Sequence, residues 1–115
     1  MINDDNKYIF NVKTVQSGAF RILIESLKEI LTDTNIIFDK TGIKLMATDN
    51  SQIVLIHMKL HAENFEYFFC EKKTTIGINM MNLFKLIKTM NNNDTLTLYI
   101  EKENPNRLGI KINNM

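Results

Sequence analysis

Tyr8-Ile9-Phe10-Asn11-Val12-Lys13-Thr14 is rich in β-formers and predicts a strand. From Ser17 the period changes. Phe20, Leu23, Ile24, Leu27, Ile30 and Leu31 recur at three- and four-residue steps, which places them on one face of a helix over residues 17–31. Ser17 suits the N-cap, where a hydroxyl accepts from an otherwise unpaired amide one turn on. Arg21, Glu25 and Lys28 fall on the opposite face. Asn35-Ile36-Ile37-Phe38 then predicts a short strand. Asp39-Lys40-Thr41-Gly42 has turn chemistry, with Gly42 free to adopt the positive φ of a tight hairpin. The return strand is 43–48. A second polar turn, Asp49-Asn50-Ser51, leads into 52–60, which begins almost continuously apolar and ends alternating. A strand covered on both sides for part of its length has that pattern.

The same order then recurs. After a bridging segment over 65–70, Thr74-Thr75-Ile76-Gly77-Ile78-Asn79 predicts a strand with Asn79 as the cap of a helix over 80–90. Met80, Leu83, Phe84, Ile87 and Met90 form its apolar stripe, and Lys85 and Lys88 point away from it. Asn91-Asn92-Asn93-Asp94 is a turn, 95–100 alternates cleanly, Pro105-Asn106 marks a loop, and 108–112 is a last strand. The chain therefore reads as a β-α-β-β unit written twice, about 7–60 and 65–115, after a flexible extension at 1–6. The expected fold class is α+β, with two helices on one face of a continuous antiparallel sheet. The first unit has three strands after its helix and the second has two. A repeat one strand short predicts a longer chain, or a closing strand supplied from elsewhere, and leaves an open edge able to pair.

Composition narrows the function by exclusion. A hydrophobic fraction of 44% with 23% charged residues fits a globular domain, and no apolar run approaches the ~18 residues of a membrane span. The polar, acidic start Asn3-Asp4-Asp5-Asn6 is unlike a secretory signal, so an intracellular protein is expected. The single cysteine, Cys70, ends an aromatic run and reads as a buried thiol. His57 and His61 straddle the end of a strand without a Cys or carboxylate cluster, and read as solvent-facing rather than as metal ligands. Nucleotide-binding glycine motifs and nucleophile elbows are missing. The expectation is no enzyme, no metal and no cofactor.

A net charge of +1 says nothing about partners, so the position of the charges has to carry the argument. Lys85 and Lys88 stand a turn apart with no acid on their helix. Arg21 and Lys28 offer a similar face on the first helix, diluted by Glu25 and Glu29. Phosphate contacts of this kind give affinity without sequence preference and with strong salt dependence. No aromatics interleave with these cations, which favours a duplex backbone over stacked single strands.

The run from Gly42 to Leu55, with Asp49 and Ser51 inside it, resembles the centre of the N-terminal domain of the proliferating cell nuclear antigen family of sliding clamps. The likeness continues through Cys70 and Gly77-Ile78-Asn79-Met80 into Lys85-Leu86-Ile87-Lys88, and reaches back into Ser26-Leu27-Lys28-Glu29. It implies a clamp fold whose rings, built as homotrimers of two-domain chains, encircle double-stranded DNA with helices lining the hole. Carried over by position, Arg21, Lys28, Lys85 and Lys88 would face DNA. Ile22 stands where the family often has another lysine. Thr48, Gln52, Ile53 and Leu55 would contribute to an outer groove for short tail motifs of a DNA polymerase, clamp loader, flap endonuclease and ligase. The implied setting is the nucleus or a viral replication compartment. Two other readings stay open: a non-ring or hetero-oligomeric processivity or checkpoint clamp subunit, and a small α+β binding protein without a DNA role.

Overall fold

Strand β1, Tyr8–Thr14, buries Phe10, Val12 and Thr14 and leaves the residues between them partly covered, as the two-residue period of a strand dictates. The structure, a computed structural model, describes residues 5–114. Helix α1 (Ser17–Lys28) follows β1, then β2 (Asp33–Asp39), β3 (Gly42–Thr48) and β4 (Leu55–His61). A 3-10 turn at Ala62–Asn64 leads to β5 (Tyr67–Cys70), β6 (Thr74–Asn79), helix α2 (Met80–Ile87), β7 (Thr95–Glu101) and β8 (Gly109–Asn113). The extension expected at 1–6 lies mostly outside the described residues. Within them, Asp5–Lys7 form a 3-10 turn, and Asp5 accepts a hydrogen bond from the Tyr67 hydroxyl.

The α+β architecture and the doubled β-α-β-β order are present, but the strands divide into two antiparallel four-stranded sheets, β5-β1-β7-β8 and β4-β3-β2-β6. The pairing crosses between the repeats. β1, which precedes α1, pairs with β7, which follows α2, in the register Val12↔Leu98. β6, which precedes α2, pairs with β2, which follows α1, in the register Ile36↔Ile76. Each repeat thus lends the strand that precedes its helix to the other repeat's sheet. Neither sheet is complete without both halves of the sequence. Ile24, Leu27 and Leu31 at α1, with Met80, Leu83, Ile87 and Met90 at α2, join residues of both sheets in one hydrophobic core. At its centre Phe10 of β1 stacks on Phe38 of β2, with centroids 3.9 Å apart and planes 8° apart, tying one sheet to the other.

Local chemistry explains where the elements stop and where they depart from expectation. Gly42 closes the β2–β3 hairpin at φ +147°, and a Cβ there would collide with the Leu60 carbonyl of β4. Within the same hairpin, the Asp39 carboxylate accepts from the Thr41 hydroxyl at 2.6 Å and the Thr41 N–H at 2.8 Å, and pairs with Lys44 at 3.1 Å. These contacts, the Thr41 hydroxyl foremost, hold it well below the usual carboxylate range.

Asn79 caps α2 as expected, its side chain accepting from the Asn82 N–H at 3.0 Å. Ser17 does not cap α1. It is fully buried, and its hydroxyl donates to the Asn91 carbonyl at 2.8 Å, because the start of α1 is pressed against the turn that ends α2. Gly18 permits that approach, since a Cβ would strike the Asn92 side chain. The segment expected as a bridge over 65–70 contains a strand, β5, that pairs with β1. Cys70 on it is buried, and burial pushes its thiol pKa up. Ile30, expected in the apolar stripe of α1, lies past the helix end and is exposed.

Candidate nucleic-acid and partner interfaces

The predicted residues lie in two places: on the two helices, and on the loop between β3 and β4 with its strand ends. On α2, Met80, Leu83 and Ile87 point into the core, which turns Lys85 and Lys88 out to solvent. No acid lies on this helix, so nothing along it offsets the two ammonium groups. α1 differs. The exposed positions on it and at its C-terminal end are Ala19, Ile22, Glu25, Ser26 and Glu29, a face with no cation.

Arg21 and Lys28 were expected on the solvated face of α1, and the structure corrects this. Both are only partly exposed, because α1 packs against α2 and its flank is covered. The Lys28 ammonium lies 5.0 Å from the centre of the Phe84 ring of α2 and pairs with Glu29; its side chain is 13% exposed. The Nε of Arg21 is buried without a hydrogen-bond partner among the described residues. Two solvated cations on α2 and two tucked cations on the flank of α1 are what these helices offer a polyanion.

The second surface is built by a diverted strand. The apolar run at 52–60 was expected to pair throughout, yet β4 begins only at Leu55. The reason is Asp49. One of its carboxylate oxygens accepts the N–H of Ile53 and of Val54, each at 3.0 Å, and so holds this stretch of backbone out of the extended form the ladder needs. Ile53 is left 84% exposed and Leu55 67%, beside Val54 at 53%. Thr48 ends β3 and is exposed, as is Gln52. The four predicted groove residues therefore sit on one loop and its two strand ends. Met46 on β3, 56% exposed, and Val54 belong to the same surface, although neither is among the expected groove residues. The alternation Ile43 in, Lys44 out, Leu45 in carries the signal for Met46. Thr48 also lines an open cleft of about 610 Å³ with Met46, Asn35 and Gly77, where the β2–β3 ladder stops at Ile36↔Leu45.

Other candidates stay apart from these surfaces. His57 and His61 are exposed on β4. Among the described residues there is no group of three His, Cys, Asp or Glu side chains able to hold a metal ion. None of the described helices is long and apolar enough to cross a membrane.

Residues 9–115 match the model of the family described as proliferating cell nuclear antigen, N-terminal domain. A relative named "Probable DNA polymerase sliding clamp 1", from Paramecium bursaria Chlorella virus 1, is 34% identical over 111 residues, covering 96% of this chain and 42% of the relative. The "Proliferating cell nuclear antigen" of Dictyostelium discoideum is 30% identical over 90 residues, 78% of this chain and 35% of its own length. Among solved structures, the proliferating cellular nuclear antigen of Entamoeba histolytica superposes with a TM-score of 0.80 at 28% identity, over 93% of this chain and 47% of that one. A PCNA2-PCNA3 complex from Sulfolobus tokodaii gives 0.85 at 25% identity, over 91% and 42%. The chain spans less than half the length of each of these relatives. With a family match running from β1 past β8 and a fold that superposes on solved members, the chain belongs to the proliferating cell nuclear antigen family, as a domain of its N-terminal type.

Proposed function

We propose that this chain is the N-terminal domain of a DNA sliding clamp, a processivity factor that encircles duplex DNA without sequence preference and tethers a DNA polymerase to its template. The observation that carries the reading is the exposed pair Lys85 and Lys88 on a helix with no acid, in a chain whose relative is named a DNA polymerase sliding clamp. The work is electrostatic and steric. The α2 lysines touch phosphates loosely, so the duplex can slide while a closed ring prevents escape. The apolar loop at residues 53–55 has the other role, capturing tail motifs of polymerase, clamp loader, flap endonuclease and ligase. No chemistry is assigned to the domain. Its setting is the replication compartment, nuclear or viral.

Arg21 and Lys28 take a lesser part than α2, because one is half-covered and the other is already engaged by Phe84 and Glu29. A hetero-oligomeric ring is a second reading, favoured by one observation: the Sulfolobus tokodaii relative was solved as a PCNA2-PCNA3 complex. It changes the composition of the ring and leaves the DNA-facing side as described.

The test is a salt series. In the full-length protein, Lys85→Ala with Lys88→Ala is expected to weaken duplex binding. It should also flatten the slope of log affinity against log salt by about 1 for each phosphate no longer neutralised. Lys28→Ala should change the slope by less. An unchanged slope in the double variant would remove the DNA-facing role from α2.

A further inference from the structure

Three consecutive apolar side chains held out in water need something to keep them there. In the β3–β4 loop that something is Asp49. Its N–H donates to the Val54 carbonyl at 2.9 Å, and its own carbonyl accepts from the Gln52 N–H at 2.9 Å. One carboxylate oxygen takes the amides of Ile53 and Val54, and the other accepts the Ser51 hydroxyl at 2.6 Å. The Ser51 hydroxyl first, and the amides after it, hold this carboxyl below its ordinary range, so it is ionised at neutral pH.

The loop is also fixed from outside. Asn50 donates its N–H to the Ile30 carbonyl at 3.1 Å, and its side-chain oxygen accepts the Thr32 hydroxyl at 2.8 Å. Between these anchors Gln52 adopts φ +64°, the one left-handed non-glycine backbone among the described residues. A residue with a side chain holds that conformation only where its surroundings impose it.

We propose that Asp49 is a positioning residue for tail capture: it pre-orders residues 53–55 in the outward arrangement that an apolar partner segment engages. The proposal rests on the reading of Ile53 and Leu55 as the capture surface. Without the carboxylate, the exposed Ile53 and Val54 amides turn from a fixed acceptor to water, Gln52 is free to relax toward the extended region, and binding must order the loop at that moment. Affinity then falls although every group that touches the partner is still present.

The experiment titrates the C-terminal tail peptide of the DNA polymerase from the same source into the full-length protein by calorimetry. It is paired with hydrogen exchange at the Ile53 and Val54 amides. Asp49→Ala is expected to weaken binding about ten-fold and to speed exchange at both amides. Asp49→Asn, whose side-chain oxygen can still accept from both N–H groups, should stay within about three-fold of the parent. Wild-type affinity in Asp49→Ala, with capture abolished in Ile53→Asp, overturns the positioning role and leaves the capture surface standing. An equal drop in the Ala and Asn variants, with exchange at the Ile53 and Val54 amides in Asp49→Asn as slow as in the parent, also overturns it, since that marks a direct contact of the charge with the peptide. Unchanged binding in Ile53→Asp instead removes the underlying reading of the loop, and the proposal with it.

Discussion

Phe38→Ala is expected to destabilise the domain by about 3–5 kcal/mol, the range for removing a large aromatic side chain from a close-packed core. Domains of this size carry total stabilities on the order of 5–15 kcal/mol, so the change takes a large part of the margin. Phe38 is 1% exposed, and its ring lies flat on Phe10, which belongs to the other sheet. The vacated space is bordered by strands fixed in two different ladders, so neither sheet can move in to fill it without breaking register. Because β1 and β6 each pair across the repeats, both sheets should also melt together. Urea unfolding followed by circular dichroism and by tyrosine fluorescence should give one coincident transition at a lower midpoint. A destabilisation below about 1.5 kcal/mol, the scale of a tolerated hydrophobic swap, would mean that the stacked pair is not what joins the sheets. Two separated transitions would mean that the sheets fold independently.

The second large effect is on capture. Ile53→Asp with Leu55→Asp is expected to weaken binding of a polymerase tail peptide by about 2–4 kcal/mol, the cost of removing a buried hot spot. That is roughly 30- to 1,000-fold in Kd. Both side chains are mostly in water in the free protein, at 84% and 67% exposure. The same substitutions should therefore move stability by no more than about 0.5 kcal/mol. This separation distinguishes a docking residue from a core residue. A double variant that folds normally and still captures the peptide would move the partner site elsewhere.

Much of this was legible in the chain because the signals are local. The switch from a two-residue to a 3.6-residue period marked both helices, the Asp39-to-Gly42 turn marked its hairpin, and Asn79 marked the start of α2. What escaped depends on residues distant in sequence. Ser17 looks like a cap until Asn91, 74 residues away, is seen to take its hydroxyl. Lys28 looks solvated until Phe84 is placed under it. The segment at 65–70 holds the β-forming run Tyr67-Phe68-Phe69, but its side chains do not alternate, and its partner β1 lies more than 50 residues back in the chain. The exchange between the repeats of the strands that precede the helices leaves no mark on either repeat, since each strand's alternation is the same whichever partner it finds. The delayed start of β4 is the exception. Asp49 stands four residues before Ile53, and an Asp in a polar turn that can reach amides two to five residues on is a readable sign of a loop that outcompetes a strand.

Whether the helix side faces the duplex is most directly measured by site-specific photo-crosslinking in the full-length protein bound to a duplex of unrelated sequence. A photoreactive residue replaces Leu86, exposed on α2, or His57, exposed on β4. Crosslinks to DNA from position 86, insensitive to sequence and diminished by salt, with none from position 57, are the predicted result. Crosslinks from position 57 with position 86 silent would contradict it.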